Sequence, residues 1–134
     1  MIKKLSHIGI AVKDLAAAEK LFSTLLKQST TENEEVKEQG VKLGFVRVGD
    51  VSIELTQPTA PESPVQKFIE KRGEGVHHVS FEVDDIRAEL ARLKQEGFQL
   101  IDSEPRIGAG GHWIAFIHPK STRGVLVELC QKRD

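Results

Sequence analysis

Apolar and polar positions alternate near the start of the chain. Ile8, Ile10 and Val12 are interleaved with His7, Gly9 and Ala11, the period-2 pattern of a strand with one apolar face. Asp14 then stands as a cap before a helix whose apolar residues Leu15, Ala18, Phe22, Leu25 and Leu26 recur at helical spacing. A polar stretch from Gln28 to Asn33 lets the chain out. Strands are predicted next over about Glu34 to Gln39, Val41 to Val48 and Val51 to Thr56, with Gly49-Asp50 as the turn between the last two. Pro58, Pro61 and Pro64 break regular structure. Ser63-Pro64-Val65-Gln66 has capping-box spacing with proline at the first helical position, which predicts a short helix to about Arg72, stopped by Gly73.

The same order then returns. Val76 to Val83 reads as a strand, Asp84 or Asp85 caps a helix carrying Ile86, Leu90 and Leu93, and Gly97 closes it. Strands follow near Phe98 to Ser103, Trp113 to His118 and Val125 to Cys130. Gly108-Ala109-Gly110-Gly111 reads as a hairpin tip, since its spacing matches neither a dinucleotide fingerprint nor a P-loop. The pattern predicts an α+β fold of two tandem β-α-β-β-β modules. Module one spans about 1–57, a linker with a short helix about 58–75, and module two about 76–134. At 134 residues, half-modules this small predict a single domain, 1–134, with one shared core.

The repeat extends to chemistry. Ser6-His7-Ile8-Gly9-Ile10-Ala11-Val12 is echoed by His77-His78-Val79-Ser80-Phe81-Glu82-Val83, with the histidines at positions 7 and 78. Val51-Ser52-Ile53-Glu54-Leu55 is echoed by Val125-Leu126-Val127-Glu128-Leu129. Strand alternation turns both histidines and both glutamates away from the apolar neighbours that flank them. If the modules form one curved sheet, the four side chains converge in its concavity. Two imidazoles with two carboxylates suit a divalent transition metal such as Co, Zn, Mn or Ni. A carboxylate on a covered sheet face is costly unless it is paired or bound to metal. One such residue alone reads as a polar group on a solvated sheet face; the matched recurrence of the pair favours a metal site formed by His7, Glu54, His78 and Glu128. Glu82 has Ala11 as its counterpart and reads as a surface or supporting residue. His77, matched by Ser6, reads as structural. His112 and His118 have no counterpart. Lys120, Ser121, Thr122 and Arg123 form a polar-basic group after His118, either a solvated hairpin or an anion contact.

Composition narrows the function classes. With 19 basic and 20 acidic residues the net charge is −1, so nothing pulls the chain as a whole toward nucleic acid or an anionic membrane. Aromatic residues are too sparse for a base-stacking platform. The single Cys130 excludes an internal disulfide and fits a reducing compartment. No apolar run approaches the ~20 residues of a membrane span and no signal peptide is visible. The expectation is a soluble, cytoplasmic protein.

At these residues the chain resembles the vicinal oxygen chelate superfamily. Within it, Gly75-Val76-His77-His78-Val79-Ser80-Phe81-Glu82-Val83-Asp84-Asp85-Ile86 and Phe116-Ile117-His118-Pro119-Lys120-Ser121-Thr122 leading into Val125-Leu126-Val127-Glu128-Leu129 resemble the methylmalonyl-CoA epimerase family. The opening Leu5-Ser6-His7-Ile8-Gly9-Ile10-Ala11-Val12 and the segment Glu38-Gln39-Gly40 fit as well. The opening strand is shared by the whole superfamily, whereas the His-Pro-Lys-Ser-Thr run is far more specific. Two departures stand out: Glu54 occupies a place where some members carry Gln, and Arg123 one where Gly is common.

The resemblance implies a cupped, open mixed sheet around the metal, and interconversion of the (2R) and (2S) epimers of methylmalonyl-CoA by proton transfer at C2. Removing that proton leaves an enolate, which a metal on the neighbouring oxygens stabilises. Inversion needs an acid-base group on each face of C2. Carried over, these roles fall on Glu128, also a metal ligand, and on Glu38, with Glu32, Glu34 and Glu35 close enough in sequence to compete. His118, Lys120 and Ser121 become candidate contacts for the substrate or its CoA portion, and a homodimer is implied. The rivals are a glyoxalase-type lyase acting on a thiol-aldehyde adduct, a ring-cleaving dioxygenase, and a metal-free antibiotic-sequestering protein. The apparent fourth ligand counts against the dioxygenase, and the complete donor set against the metal-free binder.

Overall fold

The computed structural model describes residues 1–133. Strands and helices alternate as β1 (Ile2–Ala11), α1 (Leu15–Leu26), β2 (Glu34–Val36), β3 (Val41–Val48), β4 (Val51–Pro58), α2 (Pro64–Arg72), β5 (Gly75–Val83), α3 (Ile86–Gln95), β6 (Arg106–Ile107), β7 (Trp113–Ile117) and β8 (Val127–Gln131). Both halves are therefore β-α-β-β-β, with α2 between them. The chain divides into two compact units. One holds Met1–Ser6 together with the chain from His78 onward, and the other holds His7–His77.

In the His7–His77 unit the strand order is β2-β3-β4-β1. β1 runs parallel to β4, and β4 is antiparallel to β3 through the Gly49-Asp50 turn, where Gly49 takes φ 63°. One face packs on α1 through Val12, Leu15, Val46 and Leu55, with Ile10, Ala18, Phe22 and Leu26 around them. Leu25, predicted to join this stripe, is 68% exposed. It lies one position past the arc that Leu15, Ala18, Phe22 and Leu26 turn to the sheet. α2 packs on β4 through the buried Val65 and Ile69.

In the other unit the order is β5-β8-β7-β6, again with a parallel pair, β5 with β8. Val83, Ile86, Leu90, Leu93, Ala115, Ile117 and Leu129 form its core, with Phe98 and Leu100 packed against it.

Helices α1 and α3 start in the same way. Asp14 Oδ1 accepts from Ala17 N and Asp85 Oδ1 from Ala88 N, each at 3.1 Å. Gln57 Oε1 accepts from Leu15 N at 2.7 Å, and Gln131 Oε1 from Ile86 N at 2.8 Å. A side chain at the end of each last strand thus satisfies a helix N-terminal donor that has no partner within the helix. α2 begins at the expected Ser63 cap, whose Oγ accepts from Val65 N, and ends at Gly73 with φ 80°.

Two predicted strands come out differently. The segment from Glu34 pairs only to Val36 and then tightens into a 3-10 turn, Lys37–Gln39, closed by Gly40 at φ 63°. The segment from Phe98 to Ser103 forms no strand. It runs beside β7, but Ile101 N and Asp102 N both donate to Phe116 O, and Phe116 N donates to the Asp102 carboxylate at 2.9 Å. A side-chain acceptor has replaced the backbone ladder, leaving one isolated bridge, Leu100 to Ile117. The strand between α3 and β7 in that module is instead the short β6. Among the described residues no helix is long and apolar enough to cross a membrane.

Candidate metal and acid-base site

Directly opposed residues in a sheet point to the same face. In the His7–His77 unit His7 is opposed to Ser52, and Glu54 is flanked by Gly9 on β1 and Phe45 on β3. These positions have the opposite parity to Val46 and Leu55, so they lie on the face turned from α1, as the alternation predicts. His7 Nε2 stands 3.4 Å from Glu54 Oε2, and the His7 ring meets Phe45 edge-on at 5.8 Å. Thr56, two residues along the same face, donates its hydroxyl to Glu54 Oε1 at 2.9 Å. One carboxylate oxygen is thus held by Thr56 and the other faces the His7 imidazole.

The other unit repeats this register. Glu128 is opposed to Ser80 on β5 and to Phe116 on β7. His78 precedes Ser80 by the same two positions that separate His7 from Gly9. Its ring meets Phe116 edge-on, again at 5.8 Å. His7, Glu54, His78 and Glu128 are 8%, 6%, 6% and 5% exposed. Burying a carboxylate and an imidazole is unfavourable unless charge and lone pairs are matched, and in each unit the buried His and Glu are donors of the kind a divalent cation takes.

Cys130 lies on the same face as Glu128, packed with Ile114 and Phe116. Burial pushes its thiol pKa up, against the pull of the Ser80 and Ser6 hydroxyls beside it. Glu82, read from the sequence as a surface or supporting residue, is buried, with Lys3 Nζ at 3.3 Å and Lys132 Nζ at 3.9 Å. His77 packs edge-on against Phe68 of α2 at 5.0 Å, in keeping with a structural role.

The candidate bases and contacts divide as follows. Glu38 is exposed in the 3-10 turn Lys37–Gln39. Glu34, opposed to Leu43, shares the face of Glu54, while Glu35 is opposed to Lys42 and takes the other side. Glu32 precedes β2 and is exposed. His118 caps the 3-10 turn Pro119–Thr122, its Nδ1 accepting from Lys120 N at 3.0 Å. Ser121 Oγ accepts from Gln99 N at 2.8 Å, which tethers the turn, and Lys120 is exposed. Arg123 takes φ 56°, a left-handed conformation that explains why glycine suits that position.

Sequence reasoning missed Phe45 with Phe116, Thr56, and Gln57 with Gln131. The aromatic pair keeps the spacing of His7 and His78, and the glutamine pair that of Glu54 and Glu128, so the same self-alignment finds both. Thr56 has Cys130 as its counterpart and leaves no such trace.

The profile of the Glyoxalase/Bleomycin resistance protein/Dioxygenase superfamily matches residues 6–116. The ethylmalonyl-CoA/methylmalonyl-CoA epimerase of Cereibacter sphaeroides is 40% identical over 133 residues, covering 98% of this chain and 99% of that one. The human mitochondrial methylmalonyl-CoA epimerase is 38% identical over 129 residues, covering 96% of this chain and 73% of the relative. A solved variant of Streptomyces coelicolor methylmalonyl-CoA epimerase, in complex with 2-nitronate-propionyl-CoA, superposes with TM-score 0.95 at 35% identity, covering 98% of this chain and 96% of that one.

Proposed function

The chain belongs to the Glyoxalase/Bleomycin resistance protein/Dioxygenase superfamily, the vicinal oxygen chelate fold, and within it to the methylmalonyl-CoA epimerase family; we infer that it interconverts the C2 epimers of methylmalonyl-CoA. The observation that carries this reading is the twofold occurrence of one arrangement. In each unit a buried His meets a Phe edge-on, and a buried Glu is opposed to that same Phe. The relatives supply the substrate by analogy. The chain acts as a single catalytic domain, with modules of about 1–57 and 76–134 joined by a linker of about 58–75.

His7, Glu54, His78 and Glu128 would hold one divalent ion, of the Co, Zn, Mn or Ni class, and His7, Glu54 and His78 are a donor set suited to it. When bound, such an ion offsets the negative charge that develops on substrate oxygens as C2 loses its proton. The rest of the chemistry belongs to the side chains. Glu128 takes the C2 proton on one face. Glu38, on its own turn, returns a proton on the other. Thr56 keeps Glu54 oriented through Oε1, and Phe45 and Phe116 limit rotation of the two imidazoles. His118, Lys120 and Ser121 contribute at the turn that receives the anionic CoA portion.

Two chains pair as a homodimer in the cytoplasm, an assembly that sedimentation at micromolar concentration tests.

The decisive experiment follows solvent deuterium into each epimer separately, with and without a chelator. With Glu38→Gln, interconversion should fall by ~10²–10⁴-fold, the ordinary contribution of an acid-base group, while exchange on the Glu128 face continues. Chelator should abolish both. Interconversion within a few-fold of wild type would remove Glu38 from the mechanism and make Glu34, which shares the face of Glu54, the next base to test.

A further inference from the structure

The 3-10 turn that carries Glu38 has few ties of its own. Lys37–Gln39 is exposed or half-buried, and its closing hydrogen bond is Gly40 N to Lys37 O at 3.0 Å. What holds it comes from the linker before α2. Ser63, 2% exposed, donates Oγ to Gln39 O at 3.2 Å. The same oxygen accepts from Val65 N at 3.2 Å, so the α2 cap and the turn share one hydroxyl. Thr59 N donates to Gly40 O at 2.7 Å. Gly40 packs so closely that a Cβ there would stand 3.2 Å from Ser63 Cβ and 3.5 Å from Ala60 Cβ. Downstream, Val65 and Ile69 anchor α2 on β4, the strand that carries Glu54.

We propose that Ser63 is the positioning residue for the second base: the linker clamps the Gln39-Gly40 peptide and thereby sets where the Glu38 carboxylate stands. This rests on the reading of Glu38 as that base. The chemistry gives the clamp a reason. A base acting on carbon must sit within about hydrogen-bond reach of the C–H it attacks, and a misplacement of ~1 Å costs ~10²-fold in rate. An exposed 3-10 turn does not by itself provide such restraint. A fully buried serine hydroxyl that spans two backbone segments does. A hydroxyl is also required chemically, because the group must donate to Gln39 O and accept from Val65 N at once; alanine does neither.

The clamp is tested by comparing Ser63→Ala, Gly40→Ala and Glu38→Gln, each metal-loaded, with methylmalonyl-CoA in deuterated buffer. Ser63→Ala should lower kcat for interconversion by ~10-fold to ~10²-fold with KM within about two-fold, while leaving metal content and exchange on the Glu128 face at wild-type levels. Gly40→Ala perturbs the same contact from the other side and should give the same split. Ser63→Thr, which keeps the hydroxyl, should recover most of the rate, and a Ser63→Thr protein with normal stability that is as slow as Ser63→Ala counts against the hydroxyl as the clamp. Wild-type interconversion in both Ser63→Ala and Gly40→Ala overturns the clamp while leaving Glu38 as base. Parallel loss of exchange, metal content and thermal stability in both variants also overturns it, because that pattern marks ordinary destabilisation. Wild-type interconversion in Glu38→Gln instead refutes the base assignment, and the clamp falls with it.

Discussion

Thr56 offers the sharpest test of the proposed metal site. It is 4% exposed and donates to Glu54 Oε1 at 2.9 Å, while Glu54 Oε2 faces His7 Nε2 at 3.4 Å. Thr56→Val keeps the volume and removes the hydroxyl. Thr56→Ser keeps the hydroxyl and removes one methyl. A hydrogen bond to a charged group is worth about 1.5–3 kcal/mol. If that loss falls on the ligand's orientation, metal affinity drops by about ten-fold to about a hundred-fold, the range usual for a residue that orients a metal ligand. The serine variant should keep its affinity and lose only about 1 kcal/mol of stability through the missing methyl.

The two effects separate in denaturant titrations with and without metal. At a metal concentration near 100 times the wild-type Kd, binding stabilises the native state by about 2.7 kcal/mol. A hundred-fold weaker Kd brings that increment down to about 0.4 kcal/mol. A ten-fold weaker Kd leaves about 1.4 kcal/mol, so Thr56→Val should lose about half or more of its metal-dependent stabilisation and Thr56→Ser almost none. Equal metal-dependent stabilisation in the two variants would refute the argument that Thr56 orients Glu54 for a cation.

Other outcomes follow from the same structure. His7→Ala and His78→Ala occupy equivalent places against Phe45 and Phe116, so each should lose bound metal, read by elemental analysis, and activity with it. If either variant keeps both, the paired-ligand reading is wrong. Arg123→Gly relieves a left-handed backbone at φ 56° and should leave the melting temperature unchanged or slightly raised, by calorimetry; a marked drop would mean that the Arg123 side chain makes a contact worth more than the strain.

The chain alone was enough to expose the duplication and the four residues it brings into equivalent places. A period-2 pattern states which residues share a face, and a repeat states which faces correspond. Cap chemistry was nearly as readable: Asp14, Ser63 and Gly73 bound their helices as expected, and of Asp84 and Asp85 the structure chose Asp85, because the groups that satisfy a helix end lie within a few residues of it. What only the tertiary structure decided were contacts between residues distant in sequence. Alternation at Phe98 to Ser103 is indistinguishable from that of a strand until Asp102 takes the backbone donor of Phe116. Glu34 to Gln39 keeps strand character only to Val36, because Gly40 must turn where Ser63 and Ala60 pack against it. Leu25 matches helical spacing yet faces solvent, since the arc of α1 that touches the sheet is set by β3 and β4. Ser63 is legible as a helix cap, but its second hydrogen bond, to Gln39 O, joins segments 24 residues apart, and no local pattern encodes a partner at that distance.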